Sequence, residues 1–225
     1  MSGPVTLDVA AAYDVWAASY DGYDNPMVYA AGHALSQSSL SLGHKTCLEF
    51  GCGTGRNLAS LAARGAAQLI GFDLSAAMLA KACQRDASWT LFQADMSAPI
   101  PLADQSVDFI LFSLTLEHVA ELAPPLREAR RLLRTGGTIK IIEIHPFVSL
   151  QGISAHFRTP EGAEITMPAF AHHFQDWLGA FHQAGLRVDK LREWQAGDLG
   201  ADAPVKIQRR GPAWPWVVDW TLSLG

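Results

Sequence analysis

This chain is short of charge, of cysteine and of long apolar runs, and each shortage removes a class of function. Charged residues make up 17% of the 225 positions and the net charge is −5, so no basic surface is expected to hold a nucleic acid backbone. The three cysteines, Cys47, Cys52 and Cys83, are odd in number and lack metal-ligand spacing, which argues against a disulfide framework or a cysteine metal centre. No stretch nears the ~18 uninterrupted apolar residues that a membrane helix requires, so a membrane is not an expected partner. Met1–Asp8 has no basic region followed by an apolar core, so a secretory signal is not expected. His172 and His173 are adjacent and would diverge on a helix, with no H-x-x-x-H pair to support them. No metal site is expected. These absences are those expected of a cytoplasmic protein, with Cys47 and Cys52, which flank a glycine-rich turn, as small, reduced, buried thiols.

What the chain does have is a glycine-spaced turn joined to an apolar strand: Thr46-Cys-Leu-Glu-Phe-Gly-Cys-Gly-Thr-Gly-Arg56. Cys47, Leu48 and Phe50 read as a buried strand, and Asn57–Arg64 is apolar at helical spacing. Between them Gly51, Gly53 and Gly55 leave room for a ligand against backbone N–H groups at a helix start, where the dipole favours negative groups. A second apolar strand ends in Asp73, 18 residues after Gly55, where the doubly wound fold places an acid for two ribose hydroxyls. Ser75 suits the cap of a helix carrying Met78, Leu79 and Ala82. A third strand ends in Asp95-Met96. The dinucleotide fingerprint is G-x-G-x-x-G, whereas this turn reads G-x-G-x-G with Arg56 next, which disfavours a pyrophosphate ligand.

Glu49-Phe-Gly-Cys-Gly-Thr-Gly55, Asp73, Asp95-Met96 and Val107-Asp-Phe-Ile-Leu-Phe112 together resemble the class I S-adenosylmethionine-dependent methyltransferases, over about residues 8–222. The resemblance implies that Gly51, Gly53 and Gly55, with Cys52 and Asn57 beside them, lie under the methionine half of the cofactor and Glu49 near its amino group. It implies Asp73 on the ribose, Leu74 and Met78 against the adenine, Asp95 on the adenine amino group and Met96 at its edge. Ser113 and Leu114 would lie near the sulfonium. Tyr20 would reach the cofactor from a lid helix, since aromatic faces suit a sulfonium cation.

The expected fold is α/β, a single Rossmann-like doubly wound sheet of seven strands near 46–50, 67–72, 89–94, 107–112, 138–144, 186–191 and 214–220. In the resembled family the last strand is antiparallel, and Pro215 suits only its beginning. Residues 1–225 form one expected domain: an N-terminal helical lid (8–42), a cofactor-binding core (43–145), a substrate cap (146–171) and a C-terminal helix and strand hairpin (172–225). Pro124-Pro125 opens a helix expected to end at Gly136-Gly137, its Arg127, Arg130, Arg131 and Arg134 forming a solvated face. The cap has Pro146, Gly152, Pro160, Gly162 and Pro168 and no strong periodicity. Segments of that length inside a compact domain are usually functional.

Methyl transfer needs alignment and exclusion of water, with a base only where the acceptor keeps its proton. His145 after the fifth strand is the first candidate base, then His172 in the cap, with His118 and Glu117 after the fourth strand. The aromatic residues Phe147, Phe157, Phe170 and Phe174 point to a small, largely apolar or aromatic metabolite that is methylated on O, N or C. The Asp/Asn-Pro-Pro-aromatic motif of the family's nucleic acid amine methylases is missing at Ser113-Leu-Thr-Leu-Glu-His118. The alternatives are a carboxyl methyltransferase acting on a carrier-bound acyl group, with Arg158 holding a carboxylate, and a non-catalytic cofactor-binding module. The expected assembly is a monomer or homodimer.

Overall fold

The computed structural model describes residues 4–225. Met1–Gly3, part of the stretch read for a secretory signal, lie outside the described residues. The chain begins with β1 (Val5–Thr6), α1 (Val9–Trp16) and α2 (Pro26–Ser36), followed by β2 (Thr46–Phe50), α3 (Arg56–Ala63), β3 (Gln68–Asp73), α4 (Ala76–Arg85) and β4 (Thr90–Gln93). Next come β5 (Val107–Ser113), α5 (Ala123–Leu132), β6 (Leu133–Ile144), α6 (Pro146–Ser149), β7 (His156–Arg158) and β8 (Glu164–Thr166). The last elements are α7 (Phe174–Gln183), β9 (Leu186–Gln195), α8 (Val205–Gln208) and β10 (Pro215–Leu224).

Seven strands form one sheet in the order β4-β3-β2-β5-β6-β10-β9. The first five of these pair in parallel, and β10 runs antiparallel to both β6 and β9. Strand β2 is buried along its whole length, as a central parallel strand covered on both faces should be. Cys47 packs with Ala30, Ala34, Leu58 and Leu61 from α2 and α3 on one face. Leu48 and Phe50 pack with Leu126, Ala129, Trp177 and Phe181 from α5 and α7 on the other. This two-sided cover fixes the direction of β2, and with it the place of the glycine turn at the sheet's carboxyl edge.

Helix starts follow local chemistry. The Asp8 carboxylate accepts from the Ala11 amide, Asn25 from Met27, and Ser75 from Met78, each satisfying an otherwise unpaired N–H. Three expectations change. Helix α5 stops at Leu132 rather than Gly136-Gly137, because buried Leu133 already pairs with Val107 as sheet. Its arginines are not merely solvated: Arg131 donates to the carbonyls of Ile100 and Leu102 and pairs with Glu128 and Asp104. The cap is not irregular either, since β7 and β8 form a hairpin that β1 extends in parallel. The N-terminal segment and the cap are thus joined by backbone bonds. Their shared core holds Ala12, Trp16, Met78, Phe157 and Ile165.

Candidate active site

The glycine turn needs glycine at two positions for different reasons. Gly51 has φ +66°, and a Cβ there would run into the Thr115 hydroxyl. Gly55 has φ +75° as the residue before α3, and a Cβ would sit 2.5 Å from the Trp89 ring. Gly55 therefore serves close packing and does not line the cavity beside the turn, unlike Gly51 and Gly53. Two amides hold Asp73 in place: Gly53 N–H donates to one oxygen at 2.8 Å and Ser75 N–H to the other at 2.9 Å. Desolvation still raises its carboxyl above the usual range, with these hydrogen bonds opposing the shift.

Glu49 is 1% exposed. Its Oε1 accepts from the Asn57 amide at 2.7 Å, and its Oε2 has no hydrogen-bond partner among the described residues. Burial pushes its pKa up to about 8, partly offset by Asn57 and Arg56. An unpaired buried carboxyl oxygen on a cavity wall is suited to an incoming cation.

The cavity over the turn measures about 560 Å³. Its walls include Glu49, Gly51, Cys52, Gly53 and Asn57 together with Asp73, Leu74, Met78, Asp95 and Met96. Tyr20, Ser113 and Leu114 complete the residues anticipated from the sequence, while Tyr13, Thr115, His118 and Phe170 also line it. Thr115 and Tyr13 were not anticipated there. Leu114 has φ +55°, a left-handed conformation that costs a side-chain-bearing residue roughly 1–3 kcal/mol. Buried Glu143 supports it, because one carboxyl oxygen accepts from both Thr115 and Leu116 N–H at 2.9 Å. Burial raises Glu143 to about 8 as well.

A second cavity of about 430 Å³ adjoins the first, and Tyr13, Tyr20 and Leu114 belong to both walls. Its aromatic lining is Tyr13, Trp16, Tyr20, Tyr23, Trp214 and Trp216, not the phenylalanines expected. Phe157 lies beneath Trp16, with ring centroids 4.5 Å apart and 9° between planes. Phe147 packs on Trp214, and Phe174 on His145 and Trp220. Arg158 is exposed and pairs with Glu164, so it does not reach either cavity. Trp214 and Trp216 were legible only as a strand, although the cations Arg209-Arg210 just before them are the signal that could have marked a site.

The structure does not bring His145 or His172 to either cavity. His145 caps α6, its Nδ1 accepting from Phe147 N–H while Nε2 meets Glu193 at 2.7 Å. His172 is tied through Nε2 to the Val119 carbonyl and stands edge-on to Trp177. Both sit at expected chain positions, but their rings are consumed by backbone and neighbours. His118 is different. Its Nδ1 lies 2.9 Å from the Pro168 carbonyl, which can only accept, so the neutral ring carries its proton there. Nε2 is then free to accept from the Tyr13 hydroxyl at 2.9 Å. Burial first of all raises the Tyr13 pKa well above its ordinary value, so the phenol keeps its proton. Glu117 lines the second cavity, with an oxygen 3.9 Å from His118 Nε2; burial raises its carboxyl, opposed by His118.

Among the described residues, no group of three or more His, Cys, Asp or Glu could hold a metal ion. No helix there is long and apolar enough to cross a membrane.

Residues 48–141 match a methyltransferase domain model. The chain is 30% identical over 176 residues to a probable S-adenosylmethionine-dependent methyltransferase of Mycolicibacterium smegmatis, covering 75% of this chain and 66% of that protein. It is 34% identical over 139 residues to the malonyl-[acyl-carrier protein] O-methyltransferase of Yersinia pestis, covering 60% and 51%. The chain thus spans about two thirds of the length of one of these relatives and half of the other. A crystal structure of an S-adenosylmethionine-dependent methyltransferase from Mesorhizobium loti superposes with TM-score 0.70 at 22% identity, covering 86% of this chain and 97% of that one. With the strand order and the glycine turn, these matches place the chain in the class I S-adenosylmethionine-dependent methyltransferase family.

Proposed function

We propose that this protein moves a methyl group from S-adenosylmethionine, held in the first cavity, to an O, N or C atom of a small, largely aromatic metabolite held in the second. The observation that carries this is the shared wall: Tyr13, Tyr20 and Leu114 border both cavities, so two ligands would meet there.

The residues present fit the cofactor. The unpaired Oε2 of Glu49 suits its ammonium, and the cradle at Gly51 has no room for a Cβ. Asp73 would hold the ribose hydroxyls, Leu74 and Met78 the adenine faces, and Asp95 and Met96 its edge. Cys52, Gly53 and Asn57 would border the methionine end, with Ser113, Leu114 and Tyr20 toward the sulfonium. When bound, the cofactor supplies an electrophilic methyl on a cationic sulfur.

The chain's own part is alignment, dryness and one proton path. The rings of Tyr13, Trp16 and Tyr20, which line the second cavity, would screen the junction from water once both ligands are bound. A proton leaving the acceptor would pass to the Tyr13 oxygen as the Tyr13 proton passes to Nε2 of His118. Nδ1–H stays on the Pro168 carbonyl, and Glu117 offsets the charge on the imidazolium. His118 and Glu117 thus remain the catalytic candidates. The same reading treats the chain as one domain with a lid and cap. Three free thiols fit a reducing cytoplasm.

The test is a screen of small-molecule acceptors with methyl-labelled cofactor, followed by mass analysis of the product. Label in a small aromatic product supports the reading. Failure to bind S-adenosylhomocysteine would overturn it. Binding without transfer to any acceptor would favour a non-catalytic module, and transfer to an acyl carboxylate a carboxyl methyltransferase.

A further inference from the structure

The second cavity has chemistry that the proposed methyl transfer does not itself require. Its lining includes the cations Lys206, Arg209 and Arg210, adjacent in the chain at and just after α8. Lys206 contacts Asp24 through Oδ2 at 3.2 Å and the carbonyl at 2.9 Å. Among the described residues neither Arg209 nor Arg210 forms an ion pair, and Arg210 lies 4.7 Å from the Trp214 ring centroid. Among the described residues the indole N–H groups of Trp16, Trp214 and Trp216 have no hydrogen-bond partner, and they lie buried beneath the surface of this wall. Indoles and guanidinium groups can only donate. The acidic side chains of the wall are Asp24, already engaged by Lys206, and Glu117 at the junction with the first cavity. In a chain of net charge −5, two guanidinium groups without an ion pair on one cavity wall are a local exception that favours entry of an anion.

Resting on the two-cavity reading above, we propose that the acceptor carries an anionic group, a carboxylate or a phosphate, on an aromatic or apolar body. The anion lies at the Arg209–Arg210 end, and the body lies between Tyr23 and Trp216. This places the methyl-accepting atom at the opposite end, beside Tyr13 and Leu114. Guanidinium pairs bind carboxylates and phosphates through short charge-assisted hydrogen bonds, so the anion sets which end of the acceptor enters.

Two probes with one ring system test this: 1-anilinonaphthalene-8-sulfonate, and N-phenyl-1-naphthylamine, which lacks only the sulfonate. Fluorescence titration is done with S-adenosylhomocysteine present. The anionic probe is expected to bind about tenfold more tightly than the neutral one, the scale of one or two charge-assisted bonds. Arg209→Gln/Arg210→Gln should erase that advantage while leaving the neutral probe's affinity unchanged. Val28→Trp, or Ser154→Trp if the first does not fold, should block both probes by filling the cavity. Equal binding of the two probes, an advantage that survives the double substitution, or one that survives the blocked cavity would each overturn the assignment. Calorimetry with S-adenosylhomocysteine alone reads the first cavity separately, so failure of the methyltransfer reading is distinguishable from failure of this one.

Discussion

The hydroxyl of Tyr13 lies 2.9 Å from Nε2 of His118, so a helix that precedes the sheet and a loop that follows β5 share one hydrogen bond at the wall between two cavities. The other His118 nitrogen rests on the Pro168 carbonyl of the cap. Three segments far apart in the chain therefore converge on one imidazole.

Tyr13→Phe keeps the ring and removes the hydroxyl on which the proposed proton path depends. With an acceptor whose proton must leave, turnover should fall roughly 10²–10⁴-fold, the usual worth of a positioned base. Affinity for S-adenosylhomocysteine should stay nearly the same by calorimetry, and His118→Asn should behave alike. Near-normal turnover in both variants would leave catalysis to alignment alone.

Asp73→Ala should weaken S-adenosylhomocysteine binding by about 1–3 kcal/mol, the scale of buried charge-assisted hydrogen bonds. Asp73→Asn keeps an acceptor for the Gly53 amide and separates lost turn geometry from lost ribose contacts. Unchanged affinity in both would remove Asp73 from the ribose.

Glu49 gives binding a pH signature. Its carboxyl is held protonated up to about 8 in the free protein, and an ammonium beside Oε2 favours the ionised form. Cofactor binding near neutral pH should therefore release close to one proton, fading above about pH 9 as the free carboxyl ionises unaided. Calorimetry in buffers of different ionisation enthalpy measures this. Glu49→Gln should abolish the release.

Glu143 makes a pH statement about stability. Its folded pKa is raised to about 8, above that of an unfolded glutamate. Its contribution is full at acid pH and is lost as pH rises from the unfolded value through about 8. In that window each such group gives a slope near −1.4 kcal/mol per pH unit. Glu49 shares the window, and Asp73 and Glu117 are raised in the same direction, so Glu143→Gln should remove one group's share of the fall in urea-unfolding free energy between pH 5 and 8 and make it shallower. A slope equal to that of the parent protein would mean that Glu143 is already ionised.

The stack of Trp16 on Phe157 and the pairing of β1 with β8 join the N-terminal segment to the cap. Hydrogen exchange in α1 and in residues 146–171 should therefore slow together when S-adenosylhomocysteine and an acceptor are bound. Equal exchange with and without ligands would make them static packing elements.

Local sequence patterns were enough to specify the sheet and the place of the glycine turn at its carboxyl edge. Strand periodicity, the glycine turn and acids at successive strand ends are local patterns, because a buried parallel strand and a tight turn are specified by the residues that form them. Asp73 and Glu49 could be read as acids beside the turn, where both line the cavity, for the same reason. The second cavity could not. Its walls come from α1, α2, the cap and the segment before β10, and a cavity is a property of surfaces that meet only after folding. The histidines divide along the same line. A strand-end position made His145 a fair candidate, but the amide of Phe147 and the carboxylate of Glu193 occupy its nitrogens. His118 gained its place from Tyr13 and Pro168, 105 residues before it and 50 after it. Which imidazole is free to take a proton depends on its hydrogen-bond partners, and only the tertiary structure chose them.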